Sequence, residues 1–464
     1  MSRLSDIMQS GRSALRIQQL AMQVIGQNTA NVNTEGYSRR RLDLTLAPPF
    51  DNIGRWHAGG GVDVDYLGRV RDRLLDEQVR RAGSEYGYWS LRDETLTRVE
   101  EIFSELGGSA ISDQLQEFWS AWQDLANDPE AMGTRYSLLQ KAQTLAASFR
   151  RANAGVLEQR SQVDDQFAAA VRDVNRLTGE IAGLNVEIVR SELGGQEASD
   201  LRDARDLAID RLSRLMNITV RESDDGSVSV YNGGQMLVDR ESNVELYLSK
   251  AADGRGTRNT VSYGANGQPL NVSSGELKAL MQLRDDDLGQ TLADLDTFAI
   301  TIASRVNEIH RTGYGLTGTN GIDFFEQSLT GAADFRIGSL ILDDAARIAA
   351  AVSPDSPGDN SLALQIAGIQ QEKLLGSGRS TLDDFYRNSV LRIGSAKSFA
   401  AGQLQIEQAA MDNLENRRQQ VSGVSMDEEM TNLIKVQQAY DAAAKIIKTV
   451  DEMMKTVLSL GASG

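Results

Sequence analysis

Cysteine is absent from the 464 residues, which removes disulfides, thiolate metal sites and thiol nucleophiles from consideration. Proline is scarce: the 6 present stand at positions 48, 49, 129, 269, 354 and 357, so residues 130–268 and 358–464 lack the commonest helix breaker. Histidine occurs only as His57 and His310, without an H-E-x-x-H pair, so no zinc site of the usual nitrogen-rich kind is expected. No apolar run is long enough for a transmembrane helix, and the first 22 residues lack the continuous apolar core of a secretory signal. A chain of this kind that leaves the cell is expected to do so without a cleaved Sec-type signal, and membrane insertion is not expected. Basic residues are outnumbered 48 to 65, giving a formal charge of -17. Phosphate backbones are held by basic surfaces that release counterions, so nucleic acid is not expected as a partner.

What is present is helical periodicity. Near the start, Leu4, Met8, Gly11, Leu15, Gln18, Met22, Ile25, Thr29 and Val32 follow alternating steps of four and three, the spacing of a coiled-coil seam. Arg12, Arg16, Gln19 and Gln23 fall between them and give the other face a polar character. The same spacing returns at the far end in Met430, Leu433, Gln437, Tyr440, Ala444, Ile447, Asp451, Met454 and Leu458. Each helix is roughly 30 residues, about 45 Å at 1.5 Å per residue, with one narrow stripe rich in Met and Gln. Such stripes at chain termini suit helices that order when a partner docks. The mirrored ends therefore predict paired terminal helices that carry self-assembly.

Between the ends, residues 34–68 read as an extended linker that begins with a turn at Thr34–Tyr37, where Gly36 supplies a positive φ. Helical spacing then runs over 70–106, 111–125, 132–150 and 152–190, with Pro129 placed at the start of a helix. Residues 214–273 switch to the two-residue alternation of strands, separated by D-D-G, N-G-G and D-G turns. Helix returns from Ser274 to about His310 and again from Leu382 to Val421. The expected fold is mainly α with a small β domain: a terminal coiled coil from 1–33 and 425–464, an elongated helical-bundle body from 69–213, 274–324 and 361–424, an inserted β-rich outer domain at 214–273, and a loop-rich excursion at 325–360.

Signs of chemistry are weak. Gly313-x-Gly315-x-x-Gly318 matches a dinucleotide fingerprint, but it follows a helix where such a site needs a preceding strand. Asp224 and Asp225 lie in a turn and Asp285, Asp286 and Asp287 in a helical period, where adjacent carboxylates are usually solvated. Trp89, Trp119 and Trp122 sit at helical spacing with other apolar residues and read as core. No catalytic residue, metal or cofactor is expected, and the chain reads as a structural subunit without enzymatic activity.

The stretch from Asn28 to Arg39, with its A-N-x-N-T-x-G-Y-S-R core, resembles the N-terminal signature of bacterial flagellar rod, hook and hook-associated proteins. Its residues Asn28, Ala30, Asn31, Thr34, Gly36, Tyr37, Ser38 and Arg39 are the positions that carry the likeness. The stretch from Ser422 to Tyr440 resembles the C-terminal signature of the same superfamily, and 115–129, 201–206, 224–226 and 233–239 extend the likeness inward, toward the hook-associated branch at the hook–filament junction. Glu35 stands where the family often has Pro, and the β region is smaller than in longer relatives. The resemblance implies a secreted, extracellular subunit of the flagellum, exported unfolded by the type III route. It also implies assembly into a ring or tube with copies of itself, with the hook protein on one side and the second hook–filament junction protein on the other, and a cytoplasmic export chaperone docking on the C-terminal helix. Leu4, Met8, Leu15, Met22, Ile25, Met430, Leu433, Tyr440, Ile447, Met454 and Leu458 are then the assembly seam. The alternatives are another axial flagellar protein, hook protein or flagellin, and an axial protein with an enzymatic insertion.

Overall fold

The computed structural model describes residues 2–47, 52–53, 56–57, 61–104, 111–265 and 267–462. The four prolines among the described residues stand outside its helices, and the longest proline-free stretches hold its longest helices. Helix α1 (Ser2–Ala30) is followed by strands β1 (Arg40–Leu46), β2 (Asn52–Ile53), β3 (Trp56–His57) and β4 (Val62–Arg69). Then come α2 (Arg73–Ser104), α3 (Ile111–Asn127), α4 (Met132–Glu192) and α5 (Ser199–Leu215). The β region comprises β5 (Thr219–Glu222), β6 (Val228–Asn232), β7 (Gln235–Asp239), β8 (Ser242–Asn243), β9 (Leu246–Ala252) and β10 (Thr257–Tyr263). The second half holds α6 (Glu276–Gln282), α7 (Leu288–His310), α8 (Ser339–Asp343), α9 (Ser361–Gly368), α10 (Leu382–Ser422) and α11 (Met426–Ala462).

Four sequence expectations change. The two helices expected over 132–150 and 152–190 are one helix of 61 residues, about 90 Å long. Ala142, Leu145, Ala146, Phe149, Ala152 and Val156 are all buried across the expected break, so one apolar stripe runs straight through it. Pro129 lies in the turn before α4 instead of in its first turn, and its carbonyl accepts from the buried guanidinium of Arg135 through Nε at 3.2 Å and Nη2 at 2.6 Å. The segment read as an extended linker pairs with itself as a hairpin, β1 antiparallel to β4 from Arg40↔Arg69 to Leu46↔Val62, with a bulge after Asp43.

The fourth change concerns 325–360. Phe324, Phe325, Phe335, Ile341 and Ile348 are fully buried, and Phe325 stacks on Phe335 with ring centroids 4.7 Å apart. Asn307 of α7 fixes this segment, donating to the Phe325 carbonyl at 2.9 Å and accepting from its amide at 2.9 Å. Irregular backbone is therefore compatible with burial because side chains from the helices satisfy its polar groups. Gly313 and Gly315 belong to this packing: a Cβ on Gly313 would lie 2.5 Å from Leu362 and one on Gly315 2.5 Å from the Ala346 carbonyl oxygen. Close approach of the backbone explains these glycines.

The β region is a four-stranded antiparallel sheet, β5-β6-β7-β8, beside the β9–β10 hairpin. Val228, Val230, Leu237, Val238 and Leu246 join the same continuous core as Val171, Val174 and Ile181 of α4. A short π-helical stretch, Leu283–Asp287, joins α6 to α7, and there Arg284 donates to Asp164 at 2.6 Å and to the Asn259 carbonyl at 2.7 Å. The carboxylates of Asp285 and Asp287 are ion-pair partners: Asp285 meets Arg284 and Arg258, and Asp287 meets Arg92.

Candidate functional site

The two terminal helices pack against each other in antiparallel fashion. A Cβ on Gly11 would lie 2.9 Å from Ile447 Cγ1, and at the other end Asn28 reaches Glu429 at 3.2 Å. The inner face of α11 reads Glu429, Leu433, Val436, Tyr440, Ala443, Ile447, Val450 and Met454, all buried or half-buried, in strict steps of four and three. The expected seam residues Leu433, Tyr440, Ile447 and Met454 are on it. Met430 and Leu458 are not: they are 49% and 58% exposed. Every second position of the expected seam is one residue too far along, because Gln437, Ala444 and Asp451 fit the spacing as well as Val436, Ala443 and Val450 do. On α1, Leu4, Met8, Leu15 and Met22 are half-buried and Ile25 is buried. Ile17 and Val24, outside the expected seam, are also buried, because the β1–β4 hairpin covers a second side of α1.

Where α1 meets the hairpin, Asn28 acts as a latch. Its Oδ1 accepts from the Tyr37 hydroxyl at 3.0 Å and the Arg40 amide at 2.9 Å, and its Nδ2 donates to the Arg40 carbonyl at 3.0 Å and to Glu429. One buried amide thus uses two donors and two acceptors to tie α1, the following turn, β1 and α11 together. The turn closes with the Tyr37 amide donating to the Thr34 carbonyl at 3.2 Å, with Gly36 at φ 80°. Asn31 donates to the Gln27 carbonyl at 3.0 Å and accepts from Thr34 at 3.1 Å. Ala30 ends the helix on an exposed face. Glu429 has its pKa raised by burial, against the opposing effect of the Asn28 hydrogen bond and of Arg39.

The rest of the motif ties the module to the body. Ser38 donates from both its amide and its hydroxyl to Asp203 of α5, at 3.2 and 2.6 Å. Arg39 pairs with Glu428 at 2.6 Å and its amide donates to the Ser422 carbonyl at 2.7 Å. Three residues of α5, Asp203, Asp206 and Asp210, follow one another at steps of three and four and so share one face. Arg69 reaches Asp203 and Asp206 at 3.0 and 2.8 Å, Arg80 reaches Asp206 and Asp210 at 3.2 and 2.8 Å, and Arg418 of α10 reaches Asp210 at 2.6 Å. Burial opposes charge on Asp206, but the guanidiniums of Arg71, Arg69 and Arg80 outweigh it and hold its pKa down at about 2. A polar cleft of about 320 Å³ lined by Arg69, Arg71, Arg80 and Asp206 adjoins this anchor.

Sequence reasoning missed Glu429 and the α5 acidic ladder, although the ladder's spacing within and just beyond L-R-D-A-R-D was available as a signal. Among the described residues no group of three or more His, Asp or Glu is placed to hold a metal ion, and no helix is long and apolar enough to cross a membrane. His310 is fully buried: Nε2 accepts from the Ala349 amide at 2.9 Å, Nδ1 faces the Ile322 carbonyl at 2.7 Å, and burial pulls its pKa down to about 4. That is a neutral, structural histidine. The side chain of His57 lies outside the described residues.

Three families match the chain in the order of these elements. Residues 96–325 match the flagellar hook-associated protein FlgK helical domain, residues 8–37 the flagella basal body rod protein, and residues 417–460 the flagellar basal body rod FlgEFG protein C-terminal. The flagellar hook-associated protein 1 of Bacillus subtilis (strain 168) is 28% identical over 499 residues, covering 98% of each chain. The protein of the same name from Escherichia coli (strain K12) is 23% identical over 551 residues, covering 98% of this chain and 100% of its own. The fold is also that of the flagellar hook junction protein FlgK from Burkholderia pseudomallei, with a TM-score of 0.66 and 16% identity, over 75% of this chain and 100% of that one.

Proposed function

Since the chain belongs to the flagellar hook-associated protein family and is a structural protein of the hook–filament junction, we propose that it is built into that junction through its paired terminal helices. In this reading residues 1–33 and 425–464 form the assembly unit, the hairpin and the α5 ladder hold it at a fixed angle to the body, and copies of the chain close into a ring or tube. Hook protein on one side and the second junction protein on the other are the flanking partners. Export through the type III route precedes assembly, with a cytoplasmic chaperone covering the C-terminal helix until then. The chain has a mechanical role and no catalytic one.

The observation that carries this reading is the contrast on α11. Its inner face is occupied by α1, yet Met426, Met430, Ile434, Ile446, Met453 and Val457 on its other sides remain 41 to 52% exposed. So many large apolar side chains left in water on one helix mark a surface that further protein covers. Removing residues 425–464 is expected to leave the far-ultraviolet circular dichroism of the body in place and to abolish junction assembly and chaperone capture in a pull-down. A truncated chain that still joins hook to filament would refute the proposal.

A further inference from the structure

Helix α1 has three sides, and only two are covered. One faces α11, through Gly11 against Ile447. A second faces the hairpin: a Cβ on Gly61 would lie 2.9 Å from the Ser13 hydroxyl and 3.5 Å from Ser10 Cα, and Ile17 and Val24 continue that side as buried residues. The third side carries Gln9, Arg12, Arg16, Gln19, Gln23 and Gly26, every one exposed and spaced by three or four. It holds no acidic residue, and Arg12 and Arg16 have no ion-pair partner among the described residues.

The outward face of the hairpin has the opposite character. Asp63 and Asp65 are exposed and have no ion pair among the described residues, and Thr45 stands opposite Asp63 on that face. The heights agree as well. Strand β4 starts beside Ser10 and Ser13 and ends where Arg69 pairs with Arg40, next to Asn28. Roughly 26 Å of strand at 3.3 Å per residue thus runs alongside about 25 Å of helix at 1.5 Å per residue. Asp63 and Asp65 therefore lie level with Arg16 and the residues just beyond it, on a different flank of the same module.

We propose that neighbouring copies of the chain meet side by side at this level, the hairpin face of one lying on the open side of α1 in the next, with Asp63 and Asp65 toward Arg12 and Arg16. Two different patches of one subunit form the contact, so it is heterologous, and repetition closes a ring or advances a helix. The pairing of signs fixes which flank faces which and at what height. The inference rests on the assembly reading above and adds its geometry.

The test uses full-length chains in cells that build flagella. Arg12→Glu with Arg16→Glu, and separately Asp63→Lys with Asp65→Lys, are expected to lose most of the protein from junctions into the medium, with unchanged circular dichroism and melting temperature. Combining all four is expected to recover incorporation. Because the chain has no cysteine, Thr45→Cys with Gln19→Cys provides a second readout that needs no charge change: oxidation of sheared flagella is expected to give a ladder of linked copies, and neither single variant should give it. Charge-reversed chains that assemble normally, or a double-cysteine chain that gives no ladder in intact junctions, would overturn the contact while leaving the assembly reading standing. Wild-type chain missing from the junctions altogether would overturn both.

Discussion

The body and the terminal module are both helical, but they are stabilised differently. The body packs Phe149 of α4 among Phe118, Trp119, Trp122, Phe298, Phe324 and Phe335 of the surrounding elements, all essentially inaccessible to water. In the module the buried apolar side chains are few, chiefly Ile17, Val24, Ile25, Ala443 and Val450, and the joint is closed by the polar latch at Asn28. Charge divides the same way. Residues 1–33 and 425–464 carry seven basic and seven acidic side chains, so the whole net charge of -17 lies in residues 34–424. An apolar core folds a body alone. A neutral, thinly packed pair of helices gains most when further copies cover it, and neutrality lets copies approach without the repulsion that the body would add.

The comparison can be broken first at its strongest point. Phe149 packs between Phe298 and Phe335, with ring centroids 5.2 and 5.0 Å away. Phe149→Ala is expected to cost about 4 kcal/mol in denaturant unfolding of the body, while hydrogen exchange in α1 and α11 stays as it was. An equal loss of protection in the terminal helices would mean that the two regions are one cooperative unit.

Acid should separate them next. His310, neutral in the folded chain with a pKa of about 4, is matched by an unfolded histidine near its usual value of about 6.5. The unfolded state binds the extra proton between these values, so the stability is present above about pH 6.5 and is lost as pH falls toward 4, by roughly 3 kcal/mol. Glu429 has the opposite sign. Its folded pKa is raised, so the folded state takes up the proton first and the α1–α11 joint gains stability as pH falls through that value. A pH series should show body unfolding growing easier as pH falls below about 6.5 and the α1 end gaining protection as Glu429 takes up its proton, and parallel movement would contradict these assignments.

Asn28→Ala removes four hydrogen bonds at once and leaves the Arg40 backbone groups and Glu429 in need of partners. A loss of about 2 kcal/mol is expected, read as faster exchange in the last turns of α1 with an unchanged melting temperature for the body. Gly11→Ala should have the smallest effect. The new methyl presses on Ile447, while alanine's helix propensity favours it by about 1 kcal/mol, so the net change is expected to stay under about 1 kcal/mol, with a slightly wider α1–α11 spacing by distance measurement between spin labels.

Local pattern went far in this protein. The placement of prolines, the heptad spacing at both ends and the two-residue alternation over 214–273 are properties of consecutive residues, and they determine that the chain is mainly helical with a small sheet and amphipathic ends. The turn at Gly36 belongs with them, since only the backbone conformation of four residues is involved. Wherever two spacings fit equally, periodicity had no means to choose: Val436, Ala443 and Val450 replace Gln437, Ala444 and Asp451 because α1 lies on that side, and a helix alone does not contain that fact. The same holds for residues 325–360, whose buried backbone is met by Asn307 at Phe325 and by Arg135 at the Ile348 carbonyl, both from other helices, and for Asp203, Asp206 and Asp210, whose shared face is visible in the sequence while the arginines that meet it come from β4, α2 and α10. Short-range sterics and hydrophobic spacing write the elements into the sequence. Register, burial of irregular segments and the pairing of charges depend on which surfaces meet, and that was decided only by the tertiary fold.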